Sequence, residues 1–199
     1  MNPDGRLLYL VRHGETVGES SIRYHGRNDV ALSDEGCRQV SHLVPRISEL
    51  DFAAVVHSPL LRAAASARIL VEGLSRPPST IESDDAFTEV HFGRIEGMTD
   101  DEIVERWPDW HRQWKAGLTD GYPGGETFSG FAARIATAFD DALARHPAGD
   151  LLIVVHRGVI KWGLIHLLGL SQEQGRAIAP ELGSLTILRQ GRNWEYLAP

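Results

Sequence analysis

Three places in this sequence set a histidine or an arginine directly behind an apolar run. Arg12-His13-Gly14 follows Leu7–Val11, Ser58-Pro59-Leu60-Leu61-Arg62 follows Ala53–His57, and His156-Arg157-Gly158 follows Leu151–Val155. If the runs are parallel strands, all three groups reach the same edge of a sheet, where ligands of open α/β folds bind. Such a cluster suits a dianionic phosphoryl group. The planar fork of an arginine matches phosphate oxygens and stays charged. Backbone N–H groups at the starts of helices after Gly14 and Arg157 would add donors. A neutral imidazole held among arginines, as His13 would be beside Arg12, is a competent nucleophile, because the neighbouring cations disfavour its protonation. Gly14 would let the chain turn sharply beside it. A leaving alkoxide also needs a proton, and Glu89 in Glu89-Val90-His91-Phe92-Gly93 is available to give one.

The elements that must hold these residues follow from patterning. The three runs are nearly continuously apolar, as strands buried on both faces are. Helical patterns lie between them. One opens at Ser33-Asp34-Glu35-Gly36, with Ser33 as N-cap, and continues to about Glu49. Others cover Leu60 to about Gly73, Thr127 to about Arg145 and Arg157 to about Leu168. Ser184–Leu188 and Trp194–Tyr196 read as added edge strands. Strands alternating with helices predict an α/β fold, a three-layer α/β/α arrangement on a mainly parallel sheet. The stretch 93–130 differs: it holds Trp107, Trp110 and Trp114, many charges and the Gly-rich exit Gly121-Tyr122-Pro123-Gly124-Gly125-Glu126. It reads as a small helical flap inserted in a single domain over 1–199.

Composition narrows the function classes. With 42% hydrophobic and 24% charged residues over 199 positions, one domain with a sizeable core is expected. The net charge of −7 argues against a nucleic-acid binder, which usually shows a basic face. No run reaches the roughly 20 apolar residues of a membrane span, and the N-terminal stretch has no signal-peptide pattern. Cys37 is the single cysteine, so no intrachain disulfide and no cysteine zinc cage can form. A soluble cytoplasmic protein is the expectation. On its helical segment Cys37 reads as a small buried hydrophobe. His57, His91, His111 and His166 show no tight ligand spacing, so no metal site is expected. The three flap tryptophans, at near-helical spacing, read as packing of the flap onto the core. Asp100-Asp101-Glu102 reads as the acidic first turn of a flap helix.

Ordered motifs along nearly the whole chain resemble the histidine phosphatase superfamily, which includes the cofactor-dependent phosphoglycerate mutases. Leu10-Val11-Arg12-His13-Gly14-Glu15-Thr16 is similar to its signature, and Leu32-Ser33-Asp34-Glu35-Gly36 to its first helix opening. Ser58-Pro59-Leu60-Leu61-Arg62 resembles the second arginine motif, and Glu89-Val90-His91-Phe92-Gly93-Arg94-Ile95-Glu96-Gly97 the acid segment. Pro123-Gly124-Gly125-Glu126-Thr127 resembles a further marker, and Val154-Val155-His156-Arg157-Gly158 the second histidine motif. The resemblance implies a phosphoglycerate mutase-like fold with His13 as the nucleophile that becomes phosphohistidine. It makes Glu89 the proton donor, Arg12, Arg62 and His156 the groups that bind the phosphoryl, and water the final acceptor. It implies no cofactor and no metal.

Three positions depart from the pattern. Glu19 stands where the family often has Asn. His25, in Arg23-Tyr24-His25-Gly26, stands where Gln is usual, and Arg157 where Gly is usual. The first two positions usually touch the phosphate or its surroundings, and a carboxylate at Glu19 would repel a dianion unless turned away or paired with Arg23 or Arg27. His25 and Arg157 are therefore candidate substrate-binding residues. The expected activity is hydrolysis of a small phosphorylated metabolite by a metal-independent histidine acid phosphatase-type enzyme. The alternatives are a 2,3-bisphosphoglycerate-dependent phosphoglycerate mutase and a catalytically silent phosphate-binding module. Mutases of the family are generally longer, which leans towards hydrolysis. The loop Tyr24–Asp29 resembles that of the α-ribazole-phosphate phosphatases, but the region varies widely, so sugar phosphates, phosphoglycerates and nucleotide-derived phosphates all stay open. An apolar edge on the last strands could support a homodimer.

Overall fold

The computed structural model describes residues 5–18 and 22–197. Six strands form one sheet: β1 (Arg6–Arg12), β2 (Phe52–His57), β3 (Ile81–Ser83), β4 (Asp150–Val155), β5 (Leu185–Gln190) and β6 (Trp194–Leu197), in the order β3-β2-β4-β1-β5-β6. β3, β2, β4 and β1 run parallel; β5 pairs antiparallel with β1, and β6 antiparallel with β5. The sheet is therefore mainly parallel, as the apolar runs require. In register, Arg12 lies opposite Val155 and His57 opposite Val154, so β1, β2 and β4 end level. That places His13, Ser58 and His156 side by side.

Helices cover both faces. Along β4, Leu151, Ile153 and Val155 pack with Phe131, Ile135 and Phe139 of α6 (Phe128–Arg145) and Val159, Ile160 and Leu164 of α7 (Arg157–Leu168). Leu152 and Val154 face the other way, against Val40 of α1 (Asp34–Ser41), Ile47 of α2 (Val44–Ile47) and Ala67 and Leu70 of α3 (Leu61–Glu72). The alternation at a period of two feeds two cores from one strand. Each core buries well over ten apolar side chains, so burial dominates the stability of the sheet.

Several expectations are corrected. The helix read through Glu49 breaks into α1 and α2, because Pro45 has no N–H and its ring would meet the carbonyl four residues back. Among the described residues no helix lies between Gly14 and Ser33, which caps α1 by accepting from the Gly36 amide. Cys37 is exposed on α1, not buried. β5 is an interior strand rather than an edge, and β6 and the unforeseen β3 form the two edges. Three residues of β3 are too few to show a period.

The flap contains α4 (Asp100–Arg106) and α5 (Pro108–Lys115), and α6 begins at Phe128 behind the N-cap Thr127. The acidic turn read at Asp100 is present, closed by a capping box between Thr99 and Glu102. Trp110 stacks on Trp114, which packs edge-on against Tyr24 and Tyr122, so this part of the flap does pack inward. Trp107 instead carries the Arg106 guanidinium over its ring. A last short helix, α8 (Gln172–Arg176), follows the left-handed Gly169 that ends α7. Among the described residues no helix is long and apolar enough to cross a membrane.

Candidate active site

His13 stands one residue beyond β1 and keeps sheet-like pairing on both sides. Its N–H donates to Val155 O at 3.0 Å, and its carbonyl accepts from Gly183 N at 3.1 Å. Gly14 follows, and its role is not the sharp turn expected of it. A Cβ there would lie 2.2 Å from Gly36 O, so glycine is needed because the start of α1 presses against the loop. The Gly14 N–H meets Ser66 Oγ at 3.4 Å.

The imidazole is 6% exposed. Its Nδ1 lies 2.7 Å from Gly14 O, which assigns the proton to Nδ1 and leaves Nε2 with the lone pair. Nε2 accepts from Arg62 Nε at 3.3 Å. Burial, followed by the charges of Arg62 and Arg12, holds the pKa of His13 well below the ordinary histidine value. The ring is neutral at pH 7.

His156 is fully buried, its ring centroid 5.1 Å from that of His13. Nε2 is 2.7 Å from Ser58 Oγ, while Nδ1, buried, has no hydrogen-bond partner among the described residues. Its pKa too is held well down, by burial first and then by Arg62 and His13. Arg12 donates from Nη1 to Pro180 O at 2.8 Å; its Nε is buried and without a partner among the described residues. Burial lowers the Arg12 pKa to about 10, which leaves the guanidinium charged at neutral pH.

Arg62, the second residue of α3, is 1% exposed. Besides meeting His13, it donates to the carbonyls of Asn28, His25 and Gly26 at 2.7 to 2.9 Å. Most of its five N–H groups are thus engaged. It ties down the loop 25–28 as well as facing His13, so the open two-pronged phosphate fork read from sequence is not what the arrangement offers. Glu89 is 7% exposed, and its oxygens accept from Val90 N at 2.9 Å and Gly158 N at 3.0 Å. The α7 amide expected to serve phosphate is therefore occupied by Glu89. Arg134 supports this segment from below, donating to the carbonyls of Ala86 and Thr88 and to Glu126.

Arg12, His13, Arg62, Glu89, His25 and Arg157 line one cleft of about 860 Å³; His156 sits directly behind them. His25 Nε2 is 3.1 Å from Gly18 O and its Nδ1 is buried without a partner among the described residues, while Arg157 is exposed at the mouth. Glu19 lies outside the described residues. Arg23, one of its possible partners, meets Glu102 at 3.1 Å, and Arg27 comes within 3.9 Å of Glu126. Glu96, in the same segment as Glu89, accepts from the amides of Gly26, Arg27 and Phe92 and anchors the loop instead of lining the cleft. Among the described residues no group of three or more His, Cys, Asp or Glu is placed to hold a metal ion.

Sequence reasoning gave no role at the site to Ser58, Ser66, Arg134 or the aromatic wall of Tyr24, Phe92, Trp114 and Tyr122, of which it read Trp114 as flap packing. Ser58 was within reach, since it opens the arginine motif beside a strand end. Arg134 gives little local signal, because apart from Glu126 its partners Ala86, Thr88 and Glu89 lie in a distant segment.

A sequence model of the histidine phosphatase superfamily (branch 1) matches residues 8–197. The bifunctional protein Rv2228c of Mycobacterium tuberculosis is 34% identical over 155 residues, 77% of this chain. The chain spans only 42% of that relative's length. The 2,3-bisphosphoglycerate-dependent phosphoglycerate mutase 2 of Gloeobacter violaceus is 30% identical over 177 residues, covering 84% of this chain and 78% of its own. Among solved structures, Bacillus stearothermophilus YhfR superposes with a TM-score of 0.84 at 26% identity, over 96% of this chain and 95% of its own. Mycobacterial glucosyl-3-phosphoglycerate phosphatase, in complex with VO3, gives 0.82 at 25% identity over 96% and 97%. The match over almost the whole length, on a fold that brings the two histidines together, makes this chain a member of the histidine phosphatase superfamily.

Proposed function

We propose that the chain is a phosphomonoesterase acting on a small phosphorylated metabolite through a phosphohistidine at Nε2 of His13. One observation carries the reading. His13 is a buried, neutral imidazole whose Nδ1 is anchored on Gly14 O, while unpartnered buried donors of Arg12 and His156 stand in the same site. Nε2 attacks phosphorus, the P–O bond to the leaving group breaks, and Glu89 gives its proton to the departing oxygen. Arg12, Arg62 and His156 balance the charge on the phosphoryl oxygens. Water then attacks the phosphohistidine, Glu89 takes its proton, and His13 returns neutral with release of phosphate. Neither a metal nor an organic cofactor takes part.

Support for hydrolysis comes from the glucosyl-3-phosphoglycerate phosphatase that shares the fold. A second reading, phosphoglycerate mutase, is favoured by the Gloeobacter relative. The two use the same residues and differ in where the phosphoryl goes. Incubation with p-nitrophenyl phosphate should release phosphate in wild type and not in His13→Ala, and an acid-labile, base-stable label should mark His13. A label on serine or aspartate would exclude the nucleophile. Bisphosphate-primed isomerisation of a phosphoglycerate, without net phosphate, would decide for the mutase.

A further inference from the structure

The far wall of the cleft carries positive charge that the phosphoryl chemistry leaves unused. Arg157 and Lys161 stand one turn apart on α7, and Arg176 ends α8; all three line the cleft. None of them has an ion pair or a hydrogen bond among the described residues. Single unpaired cations occur elsewhere among the described residues, but these three face one cleft together. Several cations elsewhere do find carboxylates: Arg38 meets Glu35, Arg76 meets Asp51, and Arg112 meets Asp109. The cleft's other lysine, Lys115, is held by Asp100 at 2.9 Å. Glu181, an exposed carboxylate on the same rim, pairs with none of the three.

Lys161 is half-buried. Its pKa is lowered, by burial first and then by repulsion from Arg157 and Arg176, so both arginines lie within the field of Lys161. A Cβ on Gly117 would stand 3.5 Å from the Arg176 Nη2, which places that guanidinium across the cleft mouth against the end of the flap. Holding like charges together without a counter-charge is unfavourable, and an anion between them removes the cost.

We infer that Arg157, Lys161 and Arg176 form a second anionic subsite, so that the preferred substrate carries a carboxylate or second phosphate beyond the phosphoryl group that reacts at His13. The inference names the substrate class for the hydrolysis proposed above and rests on that reading. Lys161 and Arg176 act on this second group, not on the reacting atoms.

Matched pairs test it: glycerol 3-phosphate against 3-phosphoglycerate, which adds a carboxylate, and fructose 6-phosphate against fructose 1,6-bisphosphate, which adds a phosphate. In wild type the doubly anionic member of one pair or both should show kcat/KM higher by about tenfold or more, and the pair that responds identifies the anion. The Lys161→Met/Arg176→Gln double variant should abolish that preference through KM, and lose little on p-nitrophenyl phosphate, which has no second anion. Equal kcat/KM within both pairs, or a preference that survives the double variant, overturns the subsite. If p-nitrophenyl phosphate is not turned over at all, the hydrolase reading fails separately. Calorimetric binding of fructose 1,6-bisphosphate and 3-phosphoglycerate to the His13→Ala protein then decides. About tenfold weaker binding in the double variant supports the subsite, and unchanged affinity for both overturns it.

Discussion

The amide of Gly158 donates to Glu89 Oε2 at 3.0 Å, and a Cβ at Gly158 would stand 2.4 Å from the other oxygen of the same carboxylate. The second histidine motif and the acid segment thus meet at a glycine with no room for a side chain. Gly158→Ala should displace Glu89 and lower kcat/KM for phenyl phosphate by roughly 10- to 100-fold, since misplacement of about an ångström has that cost. Steady-state kinetics beside a thermal melt check it; full activity in the folded variant would show that the carboxylate position does not matter.

Glu89→Gln keeps the shape and removes the proton. Esters with poor leaving groups, such as alkyl phosphates, should slow by about 100-fold or more, while p-nitrophenyl phosphate loses far less. Equal losses on both substrates would take Glu89 out of the acid role.

Most of the sheet and both histidine motifs were legible because they are local. Buried parallel strands are continuous apolar runs, and Leu151–Val155 ends where β4 ends. The cluster at the level strand ends follows from those runs alone. What was not legible depends on partners far apart in the chain. Nothing near Arg62 reveals that it donates to Asn28, His25 and Gly26, and nothing near Glu96 shows that it gathers the amides of the same loop. The exposure of Cys37 was missed because the face of α1 that meets the core is set by Gly36 and Val40, which leaves the neighbouring Cys37 turned outward.

Arg62→Lys separates charge from shape. An ammonium keeps the cation but cannot reach three carbonyls and His13 together. Loss of those buried contacts should cost about 2–4 kcal/mol in urea unfolding. Activity on p-nitrophenyl phosphate should fall by about 100-fold as the loop loosens. A variant within threefold of wild type would show that a point charge suffices.

The buried histidines predict a pH dependence of stability. Their pKa values in the folded protein lie well below the ordinary value, which the unfolded chain keeps near 6.5. As pH falls through 6.5 the unfolded chain gains protons that the folded site refuses, so stability is present above that pH and is lost below it. As pH falls from 7.5 to 5.5 each histidine should therefore lower the stability. Urea midpoints across this range should decline less steeply in His156→Asn than in wild type. Identical slopes would mean that His156 carries no such linkage.

His13 is bonded through both backbone groups, to Val155 on one side and Gly183 on the other. The residue that would carry the phosphoryl group is in effect one more rung of the sheet. Its main chain has the rigidity of the core, and its amide should exchange with solvent only when β1 separates from β4. Chemistry at this site must therefore proceed against a fixed anvil. Shape change during turnover is left to the roof and walls, where the loop 25–28 and the flap are held by side chains.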